Sequence, residues 1–291
     1  MALSACALSE TPAQRLVSSP VIQERPEPGN RRGFPWLTGR RQAIPCLFTG
    51  LAANRRRLTN SDRTRDIPMT DFAAARRMMV DGQIRTSDVT DLRLIAAMLE
   101  LPRERFVPQS RAELAYLDLD LQVSEGAAGA PPRRLLKPMV LAKLLQAAAV
   151  QETDDVLDVG CATGYSSAVL AKLARSVVAL EPDPTLARHA RENLSGVQAS
   201  NATVETGPLV EGWASRAPYD VIMLGGATEV PPQALFRQLK EGGRLVTILG
   251  RTPNARAMLY RCAGGDVTGR PIFDAAASTL PGFAAPPAFV F

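Results

Sequence analysis

Two acids, Asp158 and Glu181, stand on either side of a glycine-punctuated turn, and their spacing limits what they can bind. The run Val156-Leu157-Asp158-Val159-Gly160-Cys161-Ala162-Thr163-Gly164-Tyr165 reads as a buried strand entering a tight turn, with a helix at 166–173 after it. A second apolar run, Val177-Val178-Ala179-Leu180, ends in Glu181, seventeen residues beyond Gly164. Strand, glycine turn, helix and acid-tipped strand are the parts with which an α/β sheet holds an adenosine-containing ligand. The glycines let backbone approach the ligand, and the acid can accept both ribose hydroxyls. Two plainer roles stay open: the glycines could serve only the turn, and Glu181, ahead of Pro182, could be a helix-start acid.

The spacing selects among adenosine ligands. A dinucleotide turn needs G-x-G-x-x-G so that the pyrophosphate meets a helix N-terminus. Here the order is Asp158-x-Gly160-x-Ala162-x-Gly164. A carboxylate before the first glycine repels a pyrophosphate but suits a ligand carrying an ammonium and a sulfonium. That ligand is S-adenosylmethionine (SAM), and the pattern resembles the first motif of the SAM-dependent methyltransferases. The expected cofactor contacts are Asp158 at the methionine end, Gly160, Cys161, Ala162 and Gly164 along the turn, and Glu181 on the ribose. Cys161 reads as a small residue that the turn tolerates, not as a reactive thiol.

The elements around this turn alternate. Phe72, Ala75, Met79 and Val80 predict one short amphipathic helix ending near Asp81-Gly82. Thr90-Asp91 reads as the start of a second helix, with Leu94, Ile95, Met98 and Leu99 on one face. The alternation across 115–123 predicts a strand, and a Gly/Ala/Pro loop follows at 124–132. A helix opens at Pro138. Past Glu181 come a helix (183–194), strands at 202–205 and 219–224, a helix at 232–239 closed by Lys240-Glu241-Gly242-Gly243, and a strand at 244–249. Two further strands are expected near 257–261 and 288–291. This βαβα rhythm predicts an α/β, Rossmann-like SAM-dependent methyltransferase fold: a mostly parallel sheet with helices on both faces and an N-terminal helical extension. The organisation expected is an Arg/Pro-rich disordered leader at 1–68 and one methyltransferase domain at 69–291. Within the domain, 69–150 would form the substrate side, 151–250 the SAM-binding core and 251–291 the C-terminal strands.

Composition excludes several functions. The 291 residues carry a net charge of +5, but 1–68 alone hold eleven arginines against five acids, leaving the rest at −1. The basic balance therefore belongs to the leader, and nucleic acid finds no electrostatic support as the folded domain's partner. The leader is arginine-rich like a transit peptide, yet contains Glu10, Glu24 and Glu27. Met69 as the true start is favoured over a targeting role. No apolar run is long enough to predict a membrane span. Cys6, Cys46, Cys161 and Cys262 lack metal spacing and close pairing, which fits thiols in a reducing, cytoplasmic setting. His189 is the single histidine, so no zinc site or histidine triad is expected.

From Met69 onward the chain resembles the protein-L-isoaspartate O-methyltransferases. Met79-Val80-x-x-Gln83-Ile84 and Asp91-x-Arg93 are similar to that family's opening helices. Pro102-Arg103-Glu104-Arg105-Phe106-Val107-Pro108 is similar to its proline-bracketed segment, and Ala115-Tyr116-x-Asp118 to the piece after it. Pro218-Tyr219-Asp220-Val221-Ile222 and Leu239-Lys240-x-Gly242-Gly243-Arg244-Leu245-Val246 match its later strands. The resemblance implies SAM as cofactor and methylation of isoaspartyl carboxylates in aged proteins or peptides, the ester closing to a succinimide that reopens partly to aspartate. It also exposes departures. The family's threonine-isoleucine-serine run reads Arg134-Leu135-Leu136 here, so its active-site serine position is Leu136. The aspartate expected beside the adenine falls at Gly207-Pro208-Leu209, which carries no acid, although Glu211 is close by; Pro208 and Leu209 are then the cofactor contacts the resemblance implies there. Arg133, Arg134 and Lys137 occupy the substrate-side loop and are the candidates for pairing with an acceptor carboxylate. A carboxylate acceptor, with an ordinary pKa near ~4, needs no base at neutral pH, so no catalytic residue is assigned. The departures leave open a paralogue acting on another acceptor, or a SAM-binding module without isoaspartyl activity.

Overall fold

The computed structural model describes residues 71–126 and 132–286. The leader at 1–68, residues 127–131 of the loop expected at 124–132, and the strand expected near 288–291 lie outside them.

Helix α1 (Phe72–Met79) is capped by the Asp71 side chain, which accepts from the Ala74 amide. It does not end near Gly82 as its periodicity predicts. The chain continues as a wide π turn, Val80–Ile84, and a 3-10 turn, Arg85–Ser87, and stops at Asp88 in the left-handed region. The cause is burial: Met79, Val80 and Ile84 all face the core and hold the coil together through the glycine. Helix α2 (Leu92–Glu100) starts where expected, with the Asp91 carboxylate accepting from the amides of Arg93 and Leu94. Such a cap contributes about 1 kcal/mol. The strand predicted at 115–123 shrinks to β1 (Leu121–Gln122), paired antiparallel with β2 (Arg134–Leu135). After a 3-10 coil at 109–114, residues 115–119 form turns and bends instead. The alternation there is not a burial pattern: Ala115 and Tyr116 are both inside, while Leu117 and Leu119 are exposed.

Helix α3 (Pro138–Ala148) begins with its proline in the first turn, where the missing N–H costs nothing. Then follow β3 (Asp155–Val159), α4 (Tyr165–Ala171), β4 (Ser176–Glu181), α5 (Pro184–Gly196), β5 (Ala202–Thr206) and β6 (Tyr219–Thr228). The helix predicted at 232–239 is a single turn, α6 (Gln233–Phe236), and β7 (Leu239–Leu249) starts before the glycine pair. After it come β8 (Arg256–Ala263) and β9 (Asp266–Asp274), the latter unforeseen because its sequence is polar and it lies at the sheet edge.

The sheet order is β5-β4-β3-β6-β7-β8-β9. The first five strands are parallel; β8 and β9 are antiparallel additions. Alternate side chains of each strand enter opposite layers. Val156, Val177, Val221 and Val246 join the layer containing α1–α5, whereas Leu157, Val178, Ile222 and Leu245 join a layer closed by α6 and the tail residues Leu280 and Phe283. The chain winds outward from β3 through β4 to β5, then returns to the other side of β3 as β6. That reversal leaves a crevice at the carboxyl ends of β3, β4 and β6, the general ligand position of open α/β sheets.

Candidate active site

The turn after β3 is held from several directions before any ligand is considered. The amides of Gly160 and Cys161 both donate to the Leu180 carbonyl, at 2.8 and 3.2 Å. Asn193 of α5 donates to the Thr163 carbonyl at 3.0 Å. Gly164 takes φ +93° as it opens α4, and a Cβ there would sit 3.3 Å from the Ala190 Cβ. Gly160 has φ +80°, and a Cβ on it would meet the Arg133 Nη2 and the Leu280 Cδ2, each at 2.9 Å. Glycine at 160 is thus required by both backbone conformation and space. Ala162 is also left-handed, φ +52°, and donates its amide to the Glu181 Oε2 at 2.7 Å.

Glu181 is fully buried at the end of β4. Besides the Ala162 amide, it accepts a two-pronged contact from Arg133: Nε to Oε1 at 3.2 Å and Nη2 to Oε2 at 3.0 Å. The same Nη2 donates to the Gly160 carbonyl at 3.0 Å. The Arg133 side chain is 8% exposed. Its backbone is fixed separately, accepting from the Val123 amide and donating to the Ser124 hydroxyl. Beside this pair lies a cavity of about 530 Å³ lined by Glu181, Arg133, Asp183, Ser124 and Pro281. That volume is within the range of small-molecule sites.

Asp158 lies beneath the turn, fully buried. Its Oδ2 accepts from the Ser166 and Ser167 hydroxyls at 2.7 and 2.6 Å, while its Oδ1 has no partner among the described residues. Burial raises its pKa to about 6, against the two serine bonds, which pull downward. Cys161 is buried as well, and burial pushes its thiol well above the ordinary value, so it is held in the unreactive form at neutral pH. Pro208 is exposed at the start of a 3-10 turn, whereas Leu209 is buried with its Cδ1 beside Gly160. Glu211 ends that turn exposed.

The substrate-side candidates separate. A cleft next to the turn is lined by Arg134, Leu136, Gly160, Cys161, Tyr165 and Arg103. A second, adjoining cleft is lined by Arg133, Arg134, Leu136, Asp120 and the glycines 225 and 226. Lys137 lines neither; its amide donates to the Asp120 carboxylate at 2.9 Å as α3 begins. Leu136 is buried, and its carbonyl accepts from the Arg103 Nη2 at 2.8 Å.

Sequence reading missed Arg103. In Pro-Arg-Glu-Arg-Phe it looks like a solvated charge, yet it is fully buried. Its guanidinium stands 4.6 Å from the Tyr165 ring centre and its Nε donates to the Ala115 carbonyl at 2.9 Å. The Nη1 has no partner among the described residues, and burial lowers the group's pKa. The tail was missed too. Residues 275–286 run beside the end of β6, where the Leu280 amide donates to the Ala227 carbonyl at 2.8 Å, and no periodicity announces this.

Comparison with known proteins places these features. The family model for protein-L-isoaspartate(D-aspartate) O-methyltransferase matches residues 75–271. A protein-L-isoaspartate O-methyltransferase of Koribacter versatilis is 38% identical over 190 residues, covering 65% of this chain and 82% of the relative. Protein-L-isoaspartate O-methyltransferase 2 of an Anaeromyxobacter species is 36% identical over 211 residues, 71% of this chain and 83% of its own. A solved protein-L-isoaspartate O-methyltransferase superposes with a TM-score of 0.62 at 24% identity, covering 71% of this chain and 66% of that one. A Plasmodium falciparum structure assigned to the same family and solved with S-adenosyl-L-homocysteine gives 0.60 at 18% identity, covering 70% and 97%. These two superpositions establish the fold.

Proposed function

The chain belongs to the protein-L-isoaspartate(D-aspartate) O-methyltransferase family, and we propose that it uses SAM to methylate the α-carboxylate of isoaspartyl residues in proteins or peptides. The residues present fit SAM on three counts: a turn whose left-handed Gly160 has no room for a Cβ, a strand-end acid on a small-molecule-sized cavity, and a second acid under the turn. Glu181 would hold the ribose, and the backbone of Gly160, Cys161, Ala162 and Gly164 would follow the methionine portion. Asp158, with no exposed surface, would act on the cofactor's positive groups through the turn. Leu209 would supply an apolar wall in place of a carboxylate near the adenine, with Pro208 at its edge. When bound, SAM supplies the electrophilic methyl.

The observation that carries the acceptor class is the set of arginines around Leu136. Arg133, Arg134 and the fully buried Arg103 border clefts against the glycine turn, and Arg103 has no carboxylate among its hydrogen-bond partners. A buried cation offset only at longer range by Asp120 is costly, which favours an anionic acceptor there. Such an acceptor is ionised at neutral pH, so the chain's residues need only orient it and exclude water. Arg134 would pair with it; Lys137 would act at longer range from the start of α3.

The test is methyl transfer from tritiated SAM to an isoaspartyl peptide beside the matched aspartyl peptide. Label on the isoaspartyl peptide alone is the expected result, with a loss of at least tenfold in Arg134→Ala for a charge-assisted pair of about 1.5–3 kcal/mol. Label on neither would discard this acceptor. One observation favours a second reading: the apolar Leu136, buried in the cleft where the family resemblance implies a serine. It would suit a different carboxylate acceptor, which a panel of organic acids in the same assay would reveal.

A further inference from the structure

We propose that Arg133 is a shared counter-ion, held alternately by Glu181 and by the acceptor carboxylate, so that cofactor and acceptor each strengthen the binding of the other. The inference rests on the reading of Glu181 as the ribose acid and of the acceptor as a carboxylate.

An ionised carboxylate offers about four lone-pair positions. Three at Glu181 are occupied: by Arg133 Nε, by Arg133 Nη2 and by the Ala162 amide. A ribose diol donating two hydrogen bonds needs two positions, so Arg133 must give up at least one. Its guanidinium is a rigid fork, and moving one prong off its oxygen misaligns the other. Ribose and arginine therefore compete for the same acid.

A guanidinium released in so buried a place cannot remain there unpaired. It has a second cleft within reach. Arg133 borders the cavity beside Glu181 and also the cleft that holds Leu136 and Arg134. The backbone of residue 133 is tied to Val123 and Ser124, so the side chain can change partners while its own backbone holds still. Asp120 also lines that cleft, its carboxylate already accepting from the Lys137 amide, and an acceptor carboxylate there would receive the displaced cation. Each ligand then removes a cost from the other, and linkage makes the effect equal in both directions.

Methyl transfer resets the arrangement. The O–CH3 bond forms as the S–CH3 bond breaks, and the bonding pair stays on sulfur. The carboxylate and sulfonium charges cancel, leaving a neutral ester and a neutral thioether. Arg133 has then lost its anion in the acceptor cleft, returns to Glu181, and competes with the ribose of the spent cofactor. Product release is thereby favoured by the chemistry itself.

The experiment is titration calorimetry of S-adenosylhomocysteine against wild type, Arg133→Gln and Arg133→Lys, each with and without a saturating isoaspartyl peptide. For the wild type, the peptide is expected to tighten S-adenosylhomocysteine binding at least about fivefold. For Arg133→Gln, S-adenosylhomocysteine alone is expected to bind about tenfold tighter than to wild type, with the peptide effect gone. Arg133→Lys keeps the charge without the fork and should fall between the two, which guards against a folding defect in the first variant. Equal or weaker cofactor binding in a folded Arg133→Gln, or an undiminished peptide effect, overturns the proposal. Failure of the isoaspartyl reading is separately visible as a wild type that labels no isoaspartyl peptide. In that case the ratio of cofactor affinities between Arg133→Gln and wild type decides the competition at Glu181 alone.

Discussion

Glu181 and Asp158 are both acids with no exposed surface, yet their environments give them opposite chemistry. Glu181 accepts from a guanidinium and an amide, whereas Asp158 accepts only from two hydroxyls and is pushed up to about 6 by burial. Glu181→Ala is expected to weaken S-adenosylhomocysteine binding about tenfold or more in calorimetry, since both ribose hydrogen-bond acceptors go; an unchanged affinity would remove the ribose assignment. For Asp158 the prediction concerns pH. The folded protein keeps this proton after the unfolded chain, near the ordinary 3.8, has lost it. Stability therefore falls as pH rises from about 4 to about 6, and ionised Asp158 costs about 3 kcal/mol above that window. Asp158→Asn, whose carbonyl can still accept from both serines, should be more stable than wild type at pH 7 by about that amount. The gap should close by about pH 4 in urea melts run across the range. A gap independent of pH would mean that Asp158 does not titrate in this window.

Among the elements, the tail at 275–286 has the most unexpected role. It closes the layer opposite α1–α5 and brings Leu280, 1% exposed, against Gly160, Leu209 and Gly226. Leu280→Ala should lower stability by about 2–4 kcal/mol, because the neighbouring turns are too constrained to refill the space. Urea denaturation reads this directly, and an unshifted midpoint would show that the tail contributes no packing. The short β1–β2 pair has a different task. Its two residue pairs do little for stability, but they set Arg134 on one side and carry Arg133 to the end of β4.

On the scale of the whole molecule, charge is local. The portion after residue 68 is near neutral, −1, while three arginines gather around Leu136. An anionic acceptor would then be drawn by a confined field, not by the protein at large. Its kcat/KM should fall several-fold between about 50 and about 300 mM salt while kcat holds steady, since screening shortens the reach of the field. A salt-independent kcat/KM would mean that the arginines do not steer the acceptor. Among the described residues no helix is long and apolar enough to cross a membrane.

The sequence by itself determined the parallel core, the turn between β3 and α4, and the buried acids Asp158 and Glu181 on either side of it. These are local facts: glycine spacing, runs of buried apolar residues and acids at strand ends constrain the backbone wherever the chain is. It also named Arg133 and Arg134, though only as members of a basic loop. Only the tertiary structure decided that Arg133 reaches forty-eight residues along the chain to Glu181, that Arg103 is buried against Tyr165, and that Leu280 closes over the glycine turn. Each of these is a contact between distant segments, and neither hydrophobic periodicity nor capping chemistry carries information about what lies on the far side of a cavity. The predicted strand at 115–123 failed because its alternation is not a burial pattern: Leu117 and Leu119 are exposed, while the neighbours Ala115 and Tyr116 are both inside.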